Sequence, residues 1–111
     1  MKESDERRRL PRVDINWPVT IFAKNETIDG ESRNISSEGL YICSDKPLLL
    51  NETYQISIKP PHHQAIGVTG KIVWSDLYGI DDKKTYGVGV CLVKIPETDR
   101  HLLKEVIAVY I

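Results

Sequence analysis

This chain has few cysteines, no long apolar run and almost no net charge. Its two cysteines, Cys43 and Cys91, lie far apart and lack the paired spacing that a zinc site requires. Both fall in apolar strand patterns, so we expect reduced thiols in the protein core, with a disulfide as the alternative. No run approaches the ~20 apolar residues that cross a bilayer, so the sequence predicts no membrane span.

Charge is nearly balanced overall but unevenly distributed along the chain. The 111 residues carry a formal net charge of −1, whereas nucleic-acid binders usually have a strong basic excess. We therefore expect no nucleic-acid partner, and we interpret the arginines near the N-terminus as a local anion site. Residues 1–6 are charged and contain no apolar run of a signal peptide, which favours a cytoplasmic protein.

Alternating apolar residues predict strands along most of the chain after residue 12. From Val13 to Ile21 every second side chain is apolar, and Pro18 within this segment favours an edge position or a bulge. Asn25-Glu26 and Asp29-Gly30 are turn signals. Further strands are predicted at about 31–35, 40–43, 54–58, 66–74 and 86–95.

The apolar period changes after Pro96, where spacings of i, i+4 and i+7 predict an amphipathic helix. Its apolar stripe comprises Leu102, Leu103, Val106, Ile107, Val109 and Tyr110. Six short strands followed by one helix predict a mainly all-β protein, a six-stranded antiparallel β-barrel closed on itself. Residues 1–12 are predicted to form a flexible basic N-terminal arm, and residues 13–111 the barrel with its C-terminal α-helix.

Two short polar motifs carry the strongest indication of function. Arg8 and Arg12 stand four residues apart, and Asn34, Ser36 and Gly39 follow in a predicted turn. Guanidinium forks bind phosphate and the O6/N7 edge of guanine, and they stack on bases. A turn of small polar residues lets a ligand approach the backbone closely. Together the motifs predict a site for a small anionic nucleotide; the alternatives are a solvated charged tail and an ordinary hairpin turn.

The two motifs have the form RxxxR and NxSxxG. With Gly70–Trp74 and Tyr86–Val90 downstream, they resemble PilZ domains, the bacterial receptors for cyclic di-GMP, over nearly the whole chain. The resemblance implies that Arg8 and Arg12 bind cyclic di-GMP without chemistry, and that the arm folds over it and relays occupancy to an unidentified protein partner. Asn34 stands where the family usually has Asp, so its neutral amide pairs more weakly with arginine.

Three further residues enter the predicted site: Arg7, Arg9 and Trp74. Arg7 immediately precedes RxxxR, and in the family an arginine there accompanies binding of two stacked cyclic di-GMP molecules per chain. Arg9 is a supporting cation. Trp74 ends the predicted fifth strand, where burial in the core and stacking on a base are equally open. The alternative function is a PilZ-like structural or protein-interaction module whose nucleotide site is idle.

Metal binding and catalysis have little support in the sequence. His62 and His63 are adjacent in a predicted loop, and no third metal ligand is evident. Ser36 and Ser37 lack the GxSxG surroundings of a nucleophile. We therefore expect a non-enzymatic protein with no metal and no cofactor.

Overall fold

A computed structural model describes residues 13–76 and 85–109, so the predicted arm lies outside the described residues. The described residues form six strands followed by one helix. The strands are β1 (Pro18–Phe22), β2 (Thr27–Ile35), β3 (Gly39–Ser44), β4 (Thr53–Ile58), β5 (Ile66–Asp76) and β6 (Tyr86–Lys94). The helix, α1, spans Glu97–Val109.

The six strands close into a barrel in the order β1-β2-β3-β6-β5-β4, with β4 paired to β1 and every pairing antiparallel. The predicted architecture is confirmed. The expected edge position of Pro18 is wrong, because the closed sheet leaves β1 paired on both sides. Pro18 is instead the first residue of β1, where a missing backbone N–H is tolerated.

The inward side chains of the strands form one aliphatic core, which α1 joins from one side. Burying a side chain of this size stabilises the fold by about 1.5–3 kcal/mol. The buried cluster includes Val19, Ile21, Ile28, Ile35, Leu40, Ile42, Ile56, Ile58, Ile66, Val68, Ile72, Val88 and Val90 from the strands. Leu103, Val106 and Ile107 join it from α1.

The two ends of the barrel carry different connections. We call one the turn end, because residues 36–38 connect β2 to β3 there. We call the other the far end; it carries residues 23–26, which connect β1 to β2, and residues 45–52, which connect β3 to β4. The distinction matters because the NxSxxG motif lies at the turn end.

The segment before β1 alternates in burial as predicted but does not form a regular strand. Val13 makes an isolated antiparallel bridge with Ile35, and its N–H donates to the Ile35 carbonyl at 3.0 Å. Between this bridge and β1, backbone bonds join Ile15 N–H to the Arg33 carbonyl and Ser32 N–H to the Trp17 carbonyl, and the buried Ser32 hydroxyl interrupts the regular ladder. It accepts the Trp17 N–H at 2.9 Å and donates to the Ile15 carbonyl at 2.5 Å. The predicted strand therefore starts too early, because a bulge in β2 between Ser32 and Asn34 breaks the register.

Two other expectations from the sequence are wrong. Asp29-Gly30 lies inside β2 instead of a turn, because glycine is needed where β2 and β3 approach closely. A Cβ on Gly30 would lie 2.8 Å from the Cys43 carbonyl oxygen.

The second wrong expectation concerns the cysteines. Cys43 and Cys91 are both free thiols, and Cys43 is buried as expected, but Cys91 is exposed. Its neighbour Val90 points inward, so strand alternation turns Cys91 outward.

The helix is confirmed, although its apolar stripe is narrower than predicted. Val109 is 79% exposed and does not join the core, because α1 ends there; Tyr110 lies outside the described residues. Glu97 and Asp99 occupy the first turn, as the helix dipole favours. Asp99 also accepts the Gly67 backbone N–H at 3.1 Å, which ties the start of α1 to β5.

Candidate functional site

The turn of the NxSxxG motif connects β2 to β3 and is held by its own serine. The Ser36 N–H donates to the Gly39 carbonyl at 2.9 Å. The Ser36 hydroxyl accepts the Glu38 N–H at 3.2 Å and lies 3.3 Å from the Gly39 carbonyl oxygen, to which it donates. Ser36 is only 3% exposed. Its hydroxyl therefore shapes the turn, which is the function that a hairpin interpretation of the motif assigns to it.

Gly39 occupies the point where β3 begins against β6. A Cβ there would lie 2.7 Å from the Val90 carbonyl oxygen, a distance that a real side chain does not tolerate. Next to it, the Leu92 N–H donates to the Glu38 carbonyl at 2.9 Å and closes the turn onto β6. The glycine of the motif is thus required by close packing of two backbones.

The bulge in β2 directs two polar side chains to the outer surface. Two residues of a bulged strand face one residue of its partner. Asn34 pairs with Tyr41 of β3 and is half-buried, and Arg33 beside it is exposed. The Arg33 Nε–H donates to the Cys43 sulfur at 3.2 Å, which holds the guanidinium along β3. The site therefore contains a cation on the barrel itself.

Trp74 lies on the surface, so burial in the core is wrong, and stacking on a base stays a prediction. It is 50% exposed. A register shift in β5 between Ile72 and Trp74 breaks the alternation that would have turned the indole inward. The indole contacts the ring of Tyr41, with ring centroids 5.6 Å apart and planes inclined by 42°.

Four residues form one continuous row across the outer surface of the barrel. Asn34 of β2 pairs with Tyr41 of β3, and Tyr41 pairs with Gly89 of β6. Gly89 in turn pairs with Trp74 of β5. Paired residues of neighbouring strands point to the same face. The amide of Asn34 is therefore followed by the phenol ring of Tyr41, by Gly89, which has no side chain, and by the indole of Trp74. We call these four residues the outer row.

The four arginines of the predicted site, Arg7, Arg8, Arg9 and Arg12, lie outside the described residues. The structure nevertheless places the point where the chain reaches the barrel. Val13 is hydrogen-bonded in both directions to Ile35, the residue between Asn34 and Ser36. The structure thus brings Val13, the first described residue, together with the turn and the outer row.

Sequence reasoning missed Arg33 and Tyr41. Tyr41 lies between the inward Leu40 and Ile42, so the alternation of β3 already marks it as an outward aromatic residue. Arg33 directly precedes the motif, but its outward direction depends on the bulge, which no local pattern reveals.

Within residues 13–76 and 85–109, no three metal-binding side chains cluster together. In the same residues, no helix is long and apolar enough to cross a membrane.

Solved structures of low sequence identity share this fold. The PilZ domain of Escherichia coli YcgR, solved with cyclic di-GMP, superposes with a TM-score of 0.76 at 15% identity, covering 94% of this chain and 91% of that chain. Bacillus subtilis MotI, an inhibitor of motility, superposes with a TM-score of 0.72 at 22% identity over 87% of this chain. The present chain spans 47% of the MotI chain. MrkH, a cyclic di-GMP-dependent transcription regulatory factor, gives a TM-score of 0.75 at 16% identity, covering 91% of this chain and 49% of that chain.

The family is established by sequence as well as by fold. No curated protein matches the chain. The PilZ domain, however, matches residues 6–108, which include both motifs, all six strands and nearly all of α1. The chain therefore belongs to the PilZ domain family.

Proposed function

We propose that this protein is a non-catalytic receptor for cyclic di-GMP. The observation that carries the proposal is the hydrogen-bonded bridge between Val13 and Ile35, because Val13 directly follows RxxxR in the chain and Ile35 lies within NxSxxG. Family membership supports it, as does the E. coli YcgR PilZ domain that was solved with this nucleotide. The free thiols of Cys43 and Cys91 suit the reducing cytoplasm in which we propose that it acts.

The arginines supply the charge that the nucleotide needs. Arg8 and Arg12 bind phosphate and the O6/N7 edge of guanine through their planar forks. Arg8 is five residues before Val13, a span of at most about 18 Å. The outer row crosses three strand spacings, roughly 14–15 Å. The arm is therefore long enough to cover a ligand lying on the row.

The barrel supplies the specific contacts. Asn34 offers a carbonyl oxygen to a guanine N–H, and Trp74 offers an exposed indole face to a base. Ser36 and Gly39 act mainly through the shape of the turn, since the hydroxyl is bonded to the backbone and the glycine is packed against β6. Their contribution to affinity is to hold Asn34 and the start of the arm in place.

Ordering of residues 1–12 over the nucleotide is the proposed signal to a separate protein partner. Fixing about ten residues costs several kcal/mol of binding free energy, so the position of the arm reports occupancy. Hydrogen exchange should show protection of the arm only when cyclic di-GMP is bound. Equal protection in both states would contradict an arm that closes on the ligand.

Arg7 sets the proposed number of ligands at two per chain. Two stacked nucleotides bring additional phosphates together, and a further guanidinium offsets their repulsion, with Arg9 assisting. Arg7→Leu should lower the molar ratio from two to one while binding persists. Saturation of the native protein at one nucleotide per chain, measured well above the dissociation constant, would contradict this stoichiometry.

Calorimetric titration tests the function itself. We expect saturable binding of cyclic di-GMP, and much weaker binding of GMP, GTP and a random oligonucleotide. A folded protein that binds none of the nucleotides would instead favour a structural or protein-interaction module with an idle site. Equally tight binding of the oligonucleotide would indicate a nucleic-acid partner.

A further inference from the structure

We propose that Tyr41 and Gly89 position the Trp74 indole for stacking on a guanine base, and we call these three residues the platform. In this platform Trp74 offers the contact face, Tyr41 braces the indole, and Gly89 provides the gap that lets the two rings meet. The inference rests on the proposed binding of cyclic di-GMP. It adds Tyr41 as a positioning residue and Gly89 as a residue that must stay without a side chain.

The spacing of the rings is the first argument. Tyr41 and Trp74 belong to β3 and β5, which are separated by β6. Two strand spacings amount to about 9.5 Å, yet the ring centroids are only 5.6 Å apart. The rings therefore lean towards each other above Gly89, the residue that pairs with both. A Cβ on Gly89 would lie 3.4 Å from the Trp74 Cβ, so a branched side chain there would separate the rings.

The exposure of the indole is the second argument. An aromatic pair that only covers a glycine would stabilise the sheet by burying its rings. Trp74 instead keeps 50% of its surface in contact with solvent. Its outward position results from a bulge, and bulges often re-aim side chains next to functional sites. A braced, half-exposed indole is pre-organised for a base, since the ring loses little rotational freedom on binding.

The position of the pair is the third argument. Tyr41 lies beside Asn34 in the outer row, and Asn34 is two residues from the turn. The Val13–Ile35 bridge holds Val13 against the residue that follows Asn34. A purine base on the outer row can therefore contact Asn34 and the platform together. The platform favours purines, because stacking strength grows with the area of the base.

Tryptophan fluorescence gives a direct readout of stacking. The chain has two tryptophans, and Trp17 is 2% exposed whereas Trp74 is 50% exposed. We expect cyclic di-GMP to quench the emission of the native protein, and the quenching to disappear in Trp74→Leu. A role in stability alone would leave the emission unchanged on binding.

Affinity measurements on folded variants test the assignment of each residue. Trp74→Leu should weaken cyclic di-GMP binding by roughly 5- to 100-fold, and Tyr41→Leu and Gly89→Val by roughly 3- to 10-fold. Tyr41→Phe keeps the ring and should weaken binding less than Tyr41→Leu. Phe22→Leu is the matched control, because Phe22 is 47% exposed at the far end of the barrel; it should change neither affinity nor quenching.

The outcomes separate the platform from the receptor function. Native affinity and native quenching in folded Tyr41→Leu and Gly89→Val would overturn the platform and leave the receptor function standing. Absence of any cyclic di-GMP binding by the native protein would overturn both. Loss of affinity in these variants with a native unfolding midpoint would support the platform, because a purely structural pair would lower the midpoint instead.

Discussion

The two ends of the barrel differ in the chemistry of the surfaces that they present. The far end has a groove of about 490 Å³, lined by residues that include Phe22, Leu49 and Tyr54. Charges of both signs lie around it, and Lys46 pairs with Glu26 at 2.5 Å. The turn end has a compact turn held by its own hydrogen bonds, and the outer row starts next to it at Asn34.

This difference teaches that the chemistry of a surface, more than its open volume, points to a nucleotide site in a small closed barrel. An anionic nucleotide needs concentrated positive charge and flat faces, and the far end balances its cations with carboxylates. The outer row begins at Asn34 next to the turn and presents an amide and a half-exposed indole on one surface. A ligand held between barrel and arm does not need a preformed cavity.

The largest expected effect comes from removing two arginines of the arm. Arg8→Ala with Arg12→Ala should weaken cyclic di-GMP binding by about 3 kcal/mol or more, since each charged hydrogen bond contributes about 1.5–3 kcal/mol. Calorimetry measures the loss. Lys24→Ala with Lys46→Ala removes the same charge from the far end and should leave affinity nearly unchanged. Equal losses in the two double variants would mean that net charge, and not the turn end, attracts the ligand.

Gly39→Val comes next and acts on stability. The new side chain meets the fixed Val90 carbonyl oxygen, because the Cβ would lie 2.7 Å from it. We expect a loss of about 3 kcal/mol, the upper part of the range for overpacking, in urea unfolding. Gly67→Val is the matched control in β5, where the nearest atom is 3.8 Å away, and should stay within about 0.5 kcal/mol. Unchanged stability of Gly39→Val would show that the turn rearranges freely.

Ser32→Ala tests the bulge that aims Asn34 outward. It removes the bonds with Trp17 N–H and the Ile15 carbonyl from a fully buried position. We expect the free energy of unfolding to fall by about 1–2 kcal/mol. Affinity should fall with it, because the register of β2 sets the direction of Asn34. Ser57→Ala, at a half-buried position of β4, is the control. A destabilised protein with native affinity would separate the bulge from the site.

The smallest effect is expected at the far end. Lys46→Ala breaks the ion pair with Glu26, whose side chains are 58% and 46% exposed. Exposed pairs contribute less than about 1 kcal/mol, so the unfolding midpoint should hardly move. Nucleotide affinity should not change at all. A marked loss of affinity in this variant would move the site towards the far-end groove.

Much of the fold could be predicted because strand alternation is a local property. The order of apolar and polar residues identifies six strands and one helix, and the helix begins after Pro96 as the change of period indicates. The inward directions of Val19, Ile42 and Val88 follow from the same pattern. Glycines were harder to interpret: Gly30 signals a turn in the sequence but lies in β2, because its role depends on the backbone of β3 beside it.

The sequence by itself determined the class of the fold, the family and the motifs of the candidate site. Only the tertiary structure decided which way Asn34 and Trp74 face, because each follows a bulge that reverses the local alternation. It also brought Tyr41 and Trp74 together over Gly89, and Val13 onto Ile35. The physical reason is that alternation is encoded residue by residue. Strand register, in contrast, results from pairing between segments that are distant in the chain, and that pairing is settled only when the barrel closes.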